Sequence, residues 1–451
     1  MRLKYINSDQ IKMSFTDDVS SLDNHITVLI GKNGSGKSTT LGEVARIYSN
    51  TSKGKFSIEP NLLFDEVPAR VIAFSSTLYD KFPTAFKSYD TKKDILESKF
   101  DRDYFYLGPR SGGFVSNRNS LRQMLDVISL ASMQEKSSAD LSDIFEMVGY
   151  RPHINLKYRK AGSSDNKIKF PKRPEDLSLE IKKYLSSVKG KNSLLPFLHA
   201  IQDANVFNRI GGFISDIIEE KEFVFSLDLN STKNFNDYVS RLKALNIGEK
   251  LGLFRLDSCT FVKSSATDKY QEIEFSELSS GEASLILKTI TLSALVKDNS
   301  LVLMDEPENS LHPSWQIKLI DSVKKAIRKY KGCHIVIATH SPFFIPNLNI
   351  TDSTIVHVLR GQDGSISGEF YQGDTYGRSF EKVLLDIFDV STTRNLYFEQ
   401  RLRNLVFLAS SKTKDLNKIR EEISFFRSYN LGEDDPLIQI IQKIETSMGD
   451  S

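Results

Sequence analysis

Gly31-Lys32-Asn33-Gly34-Ser35-Gly36-Lys37-Ser38, followed by Thr39, fits the pattern G-x-x-x-x-G-K-[ST]. Glycines let such a loop curl until consecutive backbone N–H groups point at phosphate oxygens, and a helix beginning there adds its positive end. Lys37 is placed to reach the β- and γ-phosphates, and the Ser38 hydroxyl to complete the shell of a magnesium ion. A second constellation is Leu301-Val302-Leu303-Met304-Asp305-Glu306-Pro307, an apolar run ending in two carboxylates. Asp305 suits magnesium held through water, and Glu306 suits the general base or orienter of an attacking water. The expected ligands are ATP and Mg2+.

The flanking segments can hold these groups. Residues 25–30, 71–74, 300–304 and 334–339 are nearly continuous apolar runs of the kind found in strands buried on both faces. Apolar residues recur at helical spacing over 38–48, 282–296 and 315–330. Strands alternating with helices imply an α/β fold around a parallel sheet. Residues 353–360 and 365–371 flank Gly361–Gly364 as a hairpin near the sheet edge would, and the chain after Tyr376 reads as helical. From 78 to 250 polar and charged residues dominate, with helical periodicity over 120–131 and 194–218, so this range reads as a mostly helical insertion. The expected organisation is an ATPase head over 1–80 and 251–375, an insertion over 81–250, and a helical extension over 376–451.

Leu278-Ser279-Ser280-Gly281-Glu282 precedes the helix at 283–296. In composition and placement it resembles the L-S-G-G-Q signature of the ABC ATPase superfamily, upstream of the magnesium strand. Read alone, the segment is a serine N-cap. The resemblance implies that Ser279, Ser280, Gly281 and Glu282 of one chain face the γ-phosphate held by another. Ser279 and the Gly281 N–H would donate hydrogen bonds, aided by the helix end. Ser280 in place of glycine and Glu282 in place of glutamine point away from transporter subunits. They point towards the SMC-, RecF- and OLD-like branches, in the AAA-21 and AAA-15 classes. Glu308-Asn309-Ser310-Leu311-His312-Pro313 matches the dimer-contact loop of those branches, and Ala338-Thr339-His340-Ser341-Pro342 their switch histidine, His340. The glutamine expected after the second strand is missing. Ser76, Thr77 and Asp80 are the candidates to replace it. No adenine-stacking aromatic stands out.

The implied fold is an ABC-type P-loop head with a parallel-sheet core, a large helical insertion and a helical C-terminal extension. The implied assembly is a head-to-tail dimer, or a larger assembly, enclosing ATP. Asp80-Lys81-Phe82-Pro83, Tyr104-Phe105-Tyr106-Leu107-Gly108 and the segment 380–388 are similar to the ATPases of Septu-type phage defence, the PtuA group. A plain alternative makes Phe82, Tyr104 and Tyr106 core aromatics. Septu systems pair the ATPase with a separate HNH nuclease, and the seven histidines here form no H-N-H grouping. The resemblance therefore implies a partner nuclease. Two rivals stay open: a DNA-repair ATPase of RecF or SMC type, and an ATP-bound scaffold with little turnover.

A net charge of +2 gives no overall field for nucleic acid or membranes. Two distant cysteines, Cys259 and Cys333, favour a reducing compartment over a disulfide framework. No apolar run approaches the ~18–20 residues of a membrane helix, so a cytoplasmic protein with no membrane partner is expected. Residues 157–191 carry eleven Lys and Arg against four acids. That balance could bind DNA in a salt-sensitive way, but the polar run 162–166 favours a solvated loop.

Overall fold

In the computed structural model, residues 1–17, 23–51, 61–77, 79–83, 104–108, 149–161, 220–228, 235–250, 252–263, 271–309, 311–388, 395–411, 415–429 and 435–449 are described, with a few single residues between 121 and 217. The helical patterns at 120–131 and 194–218, and the basic residues 167–173, lie almost entirely outside them. The chain divides into two compact units, Met1–Arg378 and Ser379–Ser451.

The first unit is built on ten strands. They are β1 (Leu3–Asn7), β2 (Ile11–Ser14), β3 (His25–Ile30), β4 (Leu62–Phe64), β5 (Arg70–Ser75), β6 (Tyr104–Leu107), β11 (Ser300–Asp305), β12 (His334–Ala338), β13 (Ser353–Arg360) and β14 (Ile366–Phe370). Their order is β4-β1-β2-β14-β13-β3-β12-β11-β5-β6. From β13 to β6 every neighbouring pair is parallel. Strands β3, β5, β11 and β12 are buried at every position, as their apolar sequences require. β13 and β14 form the expected antiparallel hairpin, but it lies inside the sheet between β2 and β3 rather than near the sheet edge, where the sequence reading put it. Strands β1, β2 and β4 at one end of the sheet were not anticipated.

Helix α1 (Lys37–Thr51) follows β3 directly. Its Leu41, Val44, Ala45 and Tyr48 join Leu29, Leu301, Leu303, Val336 and Ala338 in one apolar cluster on the sheet. Later helices are α3 (Ser280–Leu295), capped by Ser279, and α4 (Pro313–Ile327), with His312 as N-cap and proline in its first turn. Among the described residues, no helix is long and apolar enough to cross a membrane.

The described residues of the range 81–250 include strands as well as helix. They contain β6, β7 (Tyr150–Lys160) and β8 (Glu222–Asp228), besides helix α2 (Phe235–Lys250). With β9 (Phe254–Lys263) and β10 (Gln271–Glu274), strands β7 and β8 form a second, antiparallel sheet in the order β10-β9-β7-β8. Its aromatic core includes Tyr158 stacked on Phe223, and Phe261 against Tyr150. The basic residues at the start of the 157–191 stretch belong to this sheet rather than to a loop. Lys157 pairs with Glu222 at 2.9 Å, and Arg159 with Asp257 at 2.9 Å.

The second unit contains α5 (Phe380–Asp386), α6 (Leu396–Ser410), α7 (Leu416–Arg427) and α8 (Pro436–Gly449). Phe398, Leu405, Ile419, Ile423, Phe426, Leu437 and Ile441 bury one another at its centre.

Candidate phosphate-binding and catalytic site

The loop between β3 and α1 adopts backbone that only glycine takes readily. Gly34 has φ +78° and Gly36 φ +109°. A Cβ on Gly31 would lie 2.5 Å from the Val358 carbonyl oxygen, and one on Gly36 would strike the Ile366 side chain. The β13–β14 hairpin thus braces the loop from one side. No acid occupies the first turn of α1, so nothing on the helix neutralises its positive end. Ser35 Oγ is buried and finds no hydrogen-bond partner among the described residues. Lys37 Nζ folds back to donate to the carbonyls of Gly31 (2.8 Å) and Lys32 (3.3 Å). Burial lowers the Lys37 ammonium to about 8, against the opposing pull of Glu306, Asp305 and Glu308. Spare donors, an open helix end and a desolvated cation together make a cradle for a polyphosphate.

β11 delivers Asp305 to this cradle. The register sets Asp305 between Ser75 and Ala338 at the ends of three parallel strands. Ser38 Oγ donates to Asp305 Oδ1 at 2.8 Å, across 267 residues of chain. Burial pushes the Asp305 carboxyl up to about 7, with neighbouring Glu306, Asp80 and Glu308 adding to the rise against the Ser38 hydrogen bond. A divalent cation would relieve that clustering of acids. Among the described residues no group of three or more His, Cys, Asp or Glu could hold a metal alone. The Ser38 hydroxyl and the Asp305 carboxylate are hard oxygen donors beside the phosphate cradle, and such a pair fits magnesium, which takes few protein ligands and relies on phosphates and water for the rest.

Glu306 has φ +46°, a conformation costly for a residue with a side chain. It is held there from three directions. Its N–H donates to Ala338 O (2.9 Å), its carbonyl accepts from Asn309 N (3.2 Å), and its Oε2 accepts from Asn309 Nδ2 (2.8 Å). His340 Nε2 lies 3.9 Å from Glu306 Oε1. Burial and the Lys37 charge keep the His340 imidazole below its ordinary range, hence neutral near pH 7. Thr339 Oγ1 and His340 N both donate to Glu308 Oε1, at 2.7 and 2.8 Å. The segment after Glu306 is thereby tied to the histidine strand. Thr39 is exposed in the first turn of α1.

At the position of the missing glutamine, Thr77 N folds onto Ser75 Oγ (3.1 Å), and Ser76 Oγ accepts from Lys288 Nζ (2.7 Å). Asp80 is buried, accepting from Tyr106 Oη (2.7 Å) and Phe82 N (3.0 Å), and its charge is felt by Asp305. Phe82 and Tyr106 are core aromatics, as the plain reading has it, and Tyr106 also steadies an acid beside the site.

A P-loop with these neighbours is the core of a nucleotide-hydrolase domain, and the sequence matches one such family. Residues 26–345 fit the family described as "AAA domain, putative AbiEii toxin, Type IV TA system". The chain belongs to this family. Membership makes it a P-loop ATPase domain and implies ATP binding. No curated protein matches the chain. Among solved structures it is similar to the Smc head domain with an extended coiled coil bound to the C-terminal domain of ScpA, from Pyrococcus furiosus. Identity there is 12%, with 86% of this chain and 98% of that one covered at a TM-score of 0.29.

The signature residues lie apart from this cradle in their contacts. Ser279 is exposed, and Glu282 in the first turn of α3 completes a capping box with it. Among the described residues, the side-chain hydrogen bonds of Ser279 and Glu282 run between the two of them and to Tyr150 and Lys263.

Sequence reasoning missed Lys288 altogether. Half-buried on α3, it donates through its ammonium to Ser76 Oγ and to the Pro307 carbonyl (2.8 Å). Burial lowers it to about 8, against the attraction of Glu308. The lysine's place in an apolar helical face gave no sign of this. Between pH 8 and about 10.4, the unfolded-lysine value, the unfolded chain holds a proton that the folded one has released. The contribution of this lysine to stability therefore rises with pH across that window, as does that of Lys37, while the buried Cys259 thiol, held protonated in the fold, works in the opposite sense. Lys288→Met is expected to lower the stability gained between pH 8 and pH 10 relative to the parent. Urea unfolding of both proteins at pH 8 and pH 10 measures the difference.

Proposed function

We propose that this chain hydrolyses ATP at a site that a second copy of itself completes. The carrying observation is Glu306, held in a left-handed conformation immediately after Asp305 with its carboxylate fixed by Asn309. Such strain is retained where function needs a side chain aimed in one direction. Backbone N–H groups of residues 31–39 and the Lys37 ammonium would bind the phosphates. Magnesium, held by Ser38 and Asp305, would supply neutralising charge at the β- and γ-phosphates. Glu306 takes a proton from the attacking water as its oxygen bonds to the γ-phosphorus and the bond to the bridging oxygen breaks, leaving ADP and inorganic phosphate. His340, neutral and beside Glu306, orients that water and senses the γ-phosphate.

The exposed Ser279 hydroxyl and the end of α3 supply the missing donors to the γ-phosphate bound by the other copy. This is a head-to-tail dimer, in which neither chain alone surrounds the nucleotide. Native mass measurement with magnesium and a non-hydrolysable ATP analogue is expected to give two chains and two nucleotides. A nucleotide-bound monomer at micromolar protein would overturn the dimer.

Within this reading, nucleotide state controls a separate nuclease of HNH type in phage defence. Support comes from the Septu-like strings at Asp80–Pro83 and Tyr104–Gly108. The family description favours a second reading, in which the chain is the toxin of a toxin–antitoxin pair. Expression alone separates the two. A defence ATPase is silent without its nuclease and phage, whereas a toxin arrests growth unless its antitoxin is present.

A further inference from the structure

The signature segment contains an electrostatic conflict. Glu282 Oε2 accepts from Ser279 N (3.1 Å) and from Ser279 Oγ (2.9 Å), and Ser279 Oγ in turn accepts from Glu282 N (3.2 Å). The serine has one O–H, and Glu282 occupies it. A carboxylate in the first turn also satisfies the positive helix end. The serine hydroxyl and the positive helix end, on which a neighbour's γ-phosphate depends, are thus engaged by a group of the same sign as the phosphate. A glutamine there would pose no such conflict.

The other carboxylate oxygen faces away from Ser279. Glu282 Oε1 accepts from Tyr150 Oη (3.0 Å) and lies 3.4 Å from Lys263 Nζ. Tyr150 and Lys263 are cross-strand partners at the end of the β7–β9 ladder, and the ammonium sits 5.8 Å from the centre of the tyrosine ring. Burial alone would raise the Glu282 carboxyl. Hydrogen bonds from Ser279 and Tyr150, with the Lys263 charge, hold it below its ordinary range instead. Glu282 is thus a bridge with one oxygen on the antiparallel sheet and the other on the serine.

We propose that Lys263 and Tyr150 are positioning residues that neutralise Glu282 and draw it towards the antiparallel sheet, freeing Ser279 and the α3 end for the γ-phosphate of a second copy. The proposal rests on the head-to-tail reading above. It makes the antiparallel sheet the element that sets how well each chain completes its neighbour's site.

The test uses full-length chains and steady-state ATP hydrolysis. Lys263→Met is expected to lower kcat about tenfold, with KM for ATP within about twofold, because the γ-phosphate contact strengthens in the transition state. Lys263→Arg is expected to keep most of the activity. Adding Glu282→Gln to Lys263→Met is expected to restore most of the loss, since an amide needs no neutralising cation. A purely structural lysine would not be rescued by removing the charge of its partner. If the double variant stays as slow as Lys263→Met, the proposal is overturned.

Mixed chains separate this proposal from the reading beneath it. Lys37→Ala and Ser279→Arg chains should each be inactive alone and active when mixed, because one composite site is then intact. Failure of that mixture sinks the head-to-tail reading. If the mixture works, Lys263→Met should depress it only when carried by the Lys37→Ala chain, which donates the signature. A loss that follows the other chain instead overturns the proposal while leaving the dimer standing.

Discussion

Glu306→Gln is expected to bind ATP, to hold it, and to lose turnover by about 10²–10⁴-fold, the usual worth of a general base. The amide is nearly the shape of the carboxylate, so the positive φ and the hydrogen bond from Asn309 can both persist. What disappears is basicity. Loss of a negative charge beside Lys37 and Asp305 also removes repulsion towards the triphosphate, so nucleotide affinity should not fall. In the dimer reading, unhydrolysed ATP keeps the two copies together. The variant should elute as a dimer with ATP and magnesium where the parent returns to monomer as it turns over. Phosphate release and nucleotide content after desalting measure the two halves of this outcome. Parent-like hydrolysis would show that another group activates the water.

The two readable motifs share one property, which is that local chain segments form each of them. Gly31–Ser38 is a continuous segment between a buried strand and its helix, and Asp305–Glu306 closes a strand that is buried at every position and apolar from Leu301 to Met304. The parallel core followed because β3, β11 and β12 have no solvent face to interrupt their apolar runs. β7 was hidden for the opposite reason. It buries Tyr150, Pro152, Ile154, Leu156 and Tyr158 on one face, while Arg151, Lys157 and Arg159 lie on the other. The period of two is plain once the register is known. In the sequence, the charged face at 157–160 merges with the basic run beyond it and passes for a solvated loop. The supporting contacts were hidden by distance. Lys288 meets Ser76 across 212 residues, and Tyr150 meets Glu282 across 132. Neither pair has a motif, because folding alone brings the partners together. The position after β5 shows the limit of reasoning by resemblance. Ser76, Thr77 and Asp80 were all candidates for the absent glutamine, and only contacts separate their roles: Ser76 meets Lys288, the Thr77 backbone meets Ser75, and Asp80, held by Tyr106 and Phe82, is the acid that Asp305 feels.

Lys37→Ala is expected to lose ATP binding by at least about a hundredfold while leaving the nucleotide-free fold intact, because two charge-assisted phosphate contacts go at about 1.5–3 kcal/mol each. The ammonium donates to the Gly31 and Lys32 carbonyls, and burial disfavours its charge. Removing it frees those two carbonyls but also removes a desolvated cation, and the two effects oppose each other. Thermal unfolding without ligand should therefore move little. With ATP and magnesium, the parent should gain stability as RT ln(1 + [L]/Kd), which is ~2.7 kcal/mol at a hundredfold excess over Kd, and the variant should gain almost none. The contrast between the two melts is the decisive quantity. A variant that melts early without ligand would make Lys37 a structural residue of the loop. A variant that still shifts with ATP would mean that the backbone N–H groups and the α1 end bind the phosphates unaided, and Lys37 would then act only on the charge that develops as the γ-phosphate leaves.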